Sequence, residues 1–371
     1  MTWAIWINTV SAPALHNEAP DPARNTLMPQ NLNRRILLRE RPSGDFDPKI
    51  MQRVVGPVPV PGPGQALVRN RYLSLDPTNR IWMSEAESYL PPVPLGDVMR
   101  GGAVGEVVAS NTRKFPVGAK VAGLLGWQDY TVISESGEAL VQVIPGWLPV
   151  PLTATLGVLG VTGMTAYFGL LDIGKPKRGE TVVISAAAGA VGSIAGQIAK
   201  IYGARVVGIA GSKDKCAWLT RELGFDVAIN RRDADWREQL VAACPNGVDV
   251  DFENAGGPIM EAVLDLMNIH GRVVLCGMIS QYGKDDRGGG PANFANLLMR
   301  RIKLQGFIIL DYVPRFALAQ LHMLWWMKRG RIRDRSTIVR GLDNAPQALT
   351  QLFSGDNTGK LIVEIDEPPT A

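Results

Sequence analysis

Residues 181–196 constrain the fold more than any other part of the chain. They read TVVISAAAGAVGSIAG, so a strand-like apolar stretch runs through a turn of small residues into a helix-like stretch. Gly189 and Gly192 match the second and third glycines of G-x-G-x-x-G, and Ala187 stands in place of the first. Small residues at these places let the backbone approach a pyrophosphate and let the helix pack on the strand. The segment predicts dinucleotide binding, although tight packing alone would also explain the glycines. The predicted contacts of this motif are Ala187, Gly189, Ala190, Val191 and Gly192.

The second half of the chain continues this alternation of strand and helix. Strands are predicted at residues 181–185, 205–209, 227–229, 248–252, 272–276 and 304–309. Helices are predicted at residues 190–202, 213–223, 234–243, 259–268 and 315–329. This spacing is typical of an α/β fold with a doubly wound parallel sheet, the Rossmann architecture, which we expect to span residues 158–336.

The first half has a different texture, with short strand-like stretches between proline and glycine turns. These strands are predicted at residues 35–39, 65–72, 102–109, 120–124 and 130–133. They indicate a β-rich, barrel-like domain over residues 33–157, followed by a helix over residues 155–171. A helix and a strand near the end of the chain are expected to return to this domain, which would add residues 337–371. Residues 1–32 lack periodicity and are interpreted as a poorly ordered extension.

The end of the second Rossmann strand predicts which dinucleotide binds. It reads VVGIAGSKDK over residues 206–215, without the Asp or Glu that would hold the ribose 2′-hydroxyl of NAD. Gly211, Ser212, Lys215 and the later Arg231 instead provide a hydroxyl and cations for a 2′-phosphate. We therefore expect NADPH rather than NADH, with a solvated basic face as the alternative.

Composition excludes several other functions. The 39 Lys and Arg residues barely exceed the 35 Asp and Glu residues and form no long run, which argues against nucleic acid. Three widely spaced cysteines and three histidines cannot form a zinc ribbon or a disulfide framework, so we expect no metal and a reducing, cytoplasmic setting. His270 and His322 fall in helix-like stretches, so a Ser-His-Asp triad is poorly supplied. The apolar residues 181–199 are interrupted by glycines and read as a buried strand and helix rather than a membrane span.

A set of ordered motifs resembles one enzyme family. The motifs are YLSLDPTNRIWM, GWQDYTVIS, GVTGMTAYFGL, AAAGAVGS, VVGIAGSKDKC, ENAGG, CGMISQY, GFIILDY and NTGKLIVEI. They resemble the zinc-independent branch of the medium-chain dehydrogenase/reductase superfamily, and within it the prostaglandin reductase, alkenal double-bond reductase and curcumin reductase group. The resemblance covers roughly residues 33–365. It implies a β-rich GroES-like barrel domain, an NADPH-binding Rossmann domain, a homodimer, and hydride transfer to the β-carbon of an α,β-unsaturated ketone or aldehyde.

The chain also departs from this family pattern. Gly101 and Gly102 stand where zinc-dependent relatives carry their His and Glu. Arg231 replaces the usual Tyr, which should keep or strengthen binding of a 2′-phosphate. Thr78 and Asn79 replace the usual Tyr-Met, which changes the pocket lining and the size of substrate it would accept.

The resemblance also implies roles for individual residues. Tyr282 is the first catalytic candidate and Tyr72 the second, since a phenol can donate a hydrogen bond or a proton to a developing enolate; each could instead simply pack. Further predicted cofactor contacts are Met164, Thr165, Asn254, Cys276, Ser280 and Asn357. Tyr89 and Tyr312 are predicted to line the substrate pocket, and loops at residues 84–95 and 284–294 are expected to set its size. Core packing is an alternative for Met164, a turn is one for Asn254 and Asn357, and Cys276 is interpreted as structural rather than nucleophilic.

Three functions stay open from the sequence. The first is an NADPH-dependent enone or alkenal reductase, and the second is an NADPH quinone oxidoreductase of the same superfamily. The third is a non-catalytic NADPH-binding protein, which the lack of a basic stripe disfavours as an RNA binder. A small-molecule substrate, with neither nucleic acid nor a membrane as partner, fits the first two.

Overall fold

The structure, a computed structural model, describes residues 32–85, 88–137, 140–146, 148–282 and 290–366. The predicted N-terminal extension, apart from Leu32, lies outside the described residues. So do residues 86 and 87 and most of the loop at residues 284–294, two segments that the sequence connects with substrate size.

The described chain contains fifteen strands and nine α-helices. The strands are Leu32–Leu38 (β1), Met51–Pro57 (β2), Gln65–Leu75 (β3), Ala103–Ser110 (β4), Lys120–Gly123 (β5), Tyr130–Ser134 (β6), Gln142–Ile144 (β7), Thr181–Ile184 (β8), Arg205–Ala210 (β9), Val227–Asn230 (β10), Val248–Glu253 (β11), Met267–Leu275 (β12), Lys303–Gly306 (β13), Ser336–Arg340 (β14) and Lys360–Glu364 (β15). The helices are Thr78–Trp82 (α1), Val161–Phe168 (α2), Ala190–Ile201 (α3), Lys213–Arg221 (α4), Trp236–Ala243 (α5), Gly257–Leu264 (α6), Ala295–Met299 (α7), Phe316–Lys328 (α8) and Ala345–Ser354 (α9). Among these residues no helix is both long and apolar enough to cross a bilayer.

Six strands form a fully parallel sheet in the order β10-β9-β8-β11-β12-β13. Apolar layers cover both faces: one contains residues of α2, α3 and α8, and the other residues of α5 and α6. Burial on both faces explains why the central strands β8 and β9 are nearly continuous apolar runs. The doubly wound parallel sheet predicted from the sequence is confirmed.

The first half of the chain builds a second, mostly antiparallel sheet. Its strand order is β14-β15-β3-β4-β5-β7, with β6 also paired to β3, and β1 and β2 form a separate antiparallel pair. The C-terminal strand β15 lies antiparallel to β3, and β14 lies parallel to β15. The end of the chain therefore completes the sheet that the first half begins. The chain crosses from one sheet to the other twice, between β7 and β8 and between β13 and β14.

Several predicted elements differ from the structure. The helix expected over residues 155–171 is a 3-10 turn at Leu152–Thr155, the helix α2 and a π-helical turn at Gly169–Gly174. Gly160 has an extended backbone just before α2 and interrupts the expected helix. The strand β2 was not expected, because Gln52 and Arg53 are exposed and only pairing with β1 defines it.

The prediction around His270 was also wrong. The helix expected over residues 259–268 ends at Leu264, and β12 begins at Met267. His270 is an exposed residue within β12, with a left-handed backbone angle of φ 64°, not a helical residue. Its backbone N–H donates to the carbonyl oxygen of Arg300, so the local turn is decided by a contact distant in sequence.

Candidate functional site

A cavity of about 1570 Å³ lies between the two sheets. The carboxyl ends of β8, β9, β11 and β12 form one wall, and β3, α1 and the start of β15 contribute to the other. In doubly wound sheets ligands bind at these carboxyl ends. The volume exceeds the range of ~300–1,000 Å³ usual for small-molecule pockets, so a dinucleotide and a second molecule can be accommodated together.

The turn after β8 is shaped for close approach of a ligand. Gly189 precedes α3 in an extended conformation, and a Cβ on Gly192 would lie 2.8 Å from the carbonyl oxygen of Ala186. Ala186 has a left-handed backbone angle of φ 46°, which is strained for alanine. A hydrogen bond of 2.8 Å from the Gly359 N–H to the Ala188 carbonyl oxygen holds the turn against the other sheet. The turn therefore fits a pyrophosphate cradle in which a bulkier residue at position 192 would clash.

Four of the five residues predicted in this motif lie on the cavity wall. They are Gly189, Ala190, Val191 and Gly192. Ala187 does not lie on the wall, since its side chain is completely buried in the Rossmann core. It packs beside Gly208 of β9, where a Cβ would approach the Ala187 Cβ to 3.0 Å.

The basic end of the cavity lies beyond β9. Gly211, Lys215 and Arg231 line it, and Arg231 is exposed. The Lys215 Nζ donates to the Gly355 carbonyl oxygen at 2.7 Å, and burial lowers the pKa of this lysine while Asp356 opposes the shift. Ser212 does not lie on the wall; its hydroxyl caps α4 by accepting the Lys215 N–H at 3.4 Å.

The other predicted cofactor residues are divided between the cavity wall and the core. Those on the wall are Thr165, Asn254, Cys276, Ser280 and Asn357. The Asn254 side-chain amide donates to the Ser185 carbonyl oxygen at 2.8 Å, so this N–H joins the ends of β8 and β11 rather than facing a ligand. Met164 does not lie on the wall, because its side chain is fully buried in the core.

A buried carboxyl group supports the Asn254 loop. Glu253 accepts N–H groups of Ala255 and Gly256 at 2.5 and 2.8 Å, and the Ser185 hydroxyl at 2.5 Å. The nearby Cys276 thiol has its pKa raised to about 12 by burial and by Glu253. This thiol is protonated at neutral pH, which does not suit a nucleophile.

Two phenols line the cavity, Tyr282 from the loop after β12 and Tyr89 from the segment after α1. Tyr282 follows a short 3-10 turn at Ile279–Gln281, and its Oη accepts the Met278 N–H at 3.4 Å. Tyr89 shares a hydrogen bond with the Thr78 hydroxyl. Burial raises the pKa of both phenols, and the Tyr89 hydroxyl adds to the shift of the Tyr282 pKa. Both hydroxyls therefore keep their protons at neutral pH.

The other two predicted tyrosines lie away from the cavity wall. Tyr72 packs against Val104 and Leu156, and its Oη is 3.5 Å from Glu364 Oε1. Tyr312 stacks on Phe168, with ring centroids 4.8 Å apart. Both positions follow from packing within their own domains, so neither phenol is placed to reach a ligand in this cavity.

Sequence reasoning missed a charged group in the wall formed by the first sheet. The Lys360 side chain is 1% exposed, and its Nζ lies 2.5 Å from Asp76 Oδ1 and 2.9 Å from the Leu75 carbonyl oxygen. The Ser74 hydroxyl donates to the other oxygen of Asp76. Both charged residues belong to family motifs, but a lysine at the start of an apolar strand gives no sign that it will be buried.

No group of three His, Cys, Asp or Glu side chains suited to a metal ion occurs within the described ranges. Gly101 lies against Trp127 Nε1, where a Cβ would approach to 2.6 Å, and Gly102 lines the cavity. The two positions at which the resemblance places the zinc ligands of zinc-dependent enzymes are therefore glycines without a donor side chain.

Comparisons with known proteins agree with this geometry. A family model described as the N-terminal domain of oxidoreductase matches residues 34–143, and one described as zinc-binding dehydrogenase matches residues 190–322. The NADPH-dependent curcumin reductase of Escherichia coli K12 is 46% identical over 338 residues, covering 90% of this chain and 97% of that protein. The NADP(+)-dependent 2-alkenal reductase of Nicotiana tabacum is 39% identical over 306 residues, covering 82% and 88%.

A solved structure extends the likeness to three dimensions. The crystal structure of CurA from Vibrio vulnificus in complex with NADPH has a TM-score of 0.86 and 45% identity, covering 90% of this chain and all of that one. The resemblance found in the sequence motifs is therefore confirmed. The chain belongs to the zinc-independent branch of the medium-chain dehydrogenase/reductase family of oxidoreductases.

Proposed function

We propose that this protein uses NADPH to reduce the carbon–carbon double bond of α,β-unsaturated ketones or aldehydes. One observation carries the proposal: a single cavity connects the dinucleotide turn and its basic end with two phenols, Tyr89 and Tyr282, that keep their protons at neutral pH. The similarity to a curcumin reductase and a 2-alkenal reductase, each named as NADPH- or NADP-dependent, supports it.

The cavity residues suit the two parts of this reaction. NADPH, when bound, supplies the hydride. The protein must hold the double bond in place and stabilise the negative charge that develops on the carbonyl oxygen. Tyr282 can donate a hydrogen bond to that oxygen and hold the proton that completes the reduction. Tyr89, fixed by Thr78, is proposed as a contact to the substrate.

The cofactor contacts that we propose are the predicted residues on the cavity wall. They are Thr165, Gly189, Ala190, Val191, Gly192, Gly211, Lys215, Arg231, Asn254, Cys276, Ser280 and Asn357. Ala187, Ser212, Met164, Tyr72 and Tyr312 do not line the cavity, so for these five residues the roles remain predictions from the sequence.

Replacing Tyr282 by Phe tests the catalytic part of the proposal. We expect kcat for a short 2-alkenone, followed by the loss of NADPH absorbance, to fall at least ~10-fold, because the donor to the developing oxyanion is removed. NADPH affinity should change less than about twofold. Tyr72→Phe is the matched control, since that phenol lies off the cavity, and it should keep wild-type activity.

A parallel assay with a quinone distinguishes an enone reductase from a quinone oxidoreductase and from a non-catalytic NADPH-binding protein. Reduction of the quinone alone would replace our proposal with a quinone oxidoreductase. Tight NADPH binding without turnover of either acceptor would indicate a binding protein and remove the role assigned to Tyr282.

We also propose that the protein is a homodimer in a reducing, cytoplasmic setting. β13 is an edge strand of the parallel sheet as described, and three large apolar side chains near it are exposed: Ile269 by 58%, Leu298 by 78% and Met299 by 69%. Such an edge favours pairing with another copy. Light scattering should give twice the chain mass of 40.2 kDa, and a monomer at micromolar concentration would contradict it.

The free thiols of Cys216, Cys244 and Cys276 support the reducing setting, which thiol labelling in intact cells would test.

A further inference from the structure

The ion pair of Lys360 and Asp76 lies between the two halves of the cavity wall. Lys360 is the first residue of β15, its side chain is 1% exposed, and the Asp76 side chain is 31% exposed. Their separation of 2.5 Å and the second contact of Lys360, to the Leu75 carbonyl oxygen, fix the ammonium at the end of β3. An ammonium group this deeply buried is costly unless a partner carboxylate balances its charge.

On one side the pair supports the proposed substrate wall. The Asp76 backbone N–H donates to Asn79 Oδ1 at 2.8 Å, and the Asn79 amide donates to the Arg100 carbonyl oxygen at 3.0 Å. Thr78, which holds the Tyr89 hydroxyl, lies between the two residues of this turn. Lys360 therefore holds Asp76 in place, and the turn that follows Asp76 carries Thr78, the hydrogen-bond partner of Tyr89.

On the other side the same strand start contacts the dinucleotide turn. Gly359, directly before Lys360, donates its N–H to the Ala188 carbonyl oxygen at 2.8 Å and forms a bridge with Gly189. Asn357, two residues earlier, lines the cavity. Residues 357–360 thus contact the cofactor turn and the substrate wall within four positions.

We propose that Lys360 is a positioning residue for the reduction: its ammonium neutralises Asp76 in the wall and sets the substrate side of the cavity against the cofactor turn. The inference rests on the proposed function. Negative charge develops on the substrate oxygen during hydride transfer, and an unpaired carboxylate in the same wall would oppose it. Lys360 removes that repulsion without touching the reacting atoms.

The other charged or titratable groups near this pair are few among the described residues. Asp76 raises the pKa of Tyr89, and Arg100 lowers it. Asp334, at the second crossing between the sheets, has its pKa raised to about 6 by burial, and Lys360 opposes that shift. Lys360 is therefore the cation in direct contact with Asp76, whereas Arg100 acts on the phenol beyond it.

Replacing Lys360 by Met tests this role. We expect kcat for the enone to fall about 10-fold near neutral pH, because the Asp76 carboxylate is left in the wall without its cation. Lys360→Arg keeps the cation and should retain most of the wild-type kcat. NADPH affinity should change less than about twofold.

Asp76→Asn in the Lys360→Met background is the decisive variant. Removing the second charge should restore several-fold of the lost kcat, a result that a merely structural role would not produce. Lys200→Met is the matched control, since Lys200 forms a partly exposed pair with Asp226 at 2.8 Å and does not line the cavity; it should keep wild-type activity.

Unchanged kcat in a folded Lys360→Met protein overturns the inference, and so does a loss of kcat that Asp76→Asn does not relieve. If Lys360→Met does not fold, Lys360→Arg and the double variant decide: a large loss of kcat in both of them overturns the inference. An inactive wild type would instead refute the proposed function itself.

Discussion

Replacing Lys215 and Arg231 together by Ala is expected to raise the KM for NADPH about 100-fold and to leave the KM for NADH nearly unchanged. Both side chains line the basic end of the cavity, and no carboxylate from β9 reaches it among the described residues. A hydrogen bond to a charged group contributes ~1.5–3 kcal/mol to binding. Water replaces part of this contribution, so loss of both cations should weaken NADPH binding by about two powers of ten.

The comparison of the two cofactors makes this expectation specific. Lys213→Ala is the control, because Lys213 is exposed at the start of α4 and is not part of the cavity wall. If binding of NADPH and of NADH were weakened equally, the two cations would have a structural role and not a role in recognition of the 2′-phosphate. Lys215 does contact the Gly355 carbonyl oxygen, so the single variants should be compared with the double one.

Replacing Asp251 by Val is expected to stabilise the protein by about 2–4 kcal/mol at neutral pH. Asp251 is fully buried in the middle of β11, and neither carboxyl oxygen has a hydrogen-bond partner among the described residues. It is aligned with Val183 of β8 and Val273 of β12, so valine continues an existing apolar layer. Urea unfolding of the two proteins measures the difference.

The gain should depend on pH. Burial and the neighbouring Glu253 carboxyl raise the pKa of Asp251 well above its ordinary value. The folded state therefore holds a proton that the unfolded state loses above ~pH 4, and the cost of Asp251 grows as the pH rises from there. Asp251→Asn should remove this pH dependence without the full gain in packing. A Val variant less stable than wild type at every pH would show that the carboxyl is compensated.

The proposed catalytic site was only partly predictable. The motif around Tyr282 and the glycines of the dinucleotide turn are local signals, and the structure places them on one cavity wall. Tyr72 also belongs to a family motif, but its ring packs against Leu156 from a distant segment of the chain. A residue type and a motif cannot distinguish a phenol that faces a cavity from one that packs beside it.

Local sequence patterns were sufficient to predict most strands and helices of the second half, the turn at Gly189 and the preference for a cofactor with a 2′-phosphate. Those properties follow from apolar periodicity, small residues and charge within short stretches. Two other features became visible in the folded chain alone: β2 is a strand, and Lys360 contacts Asp76, 284 positions away in the chain. Such contacts depend on strand register and on the packing of one domain against another, and no local pattern specifies either.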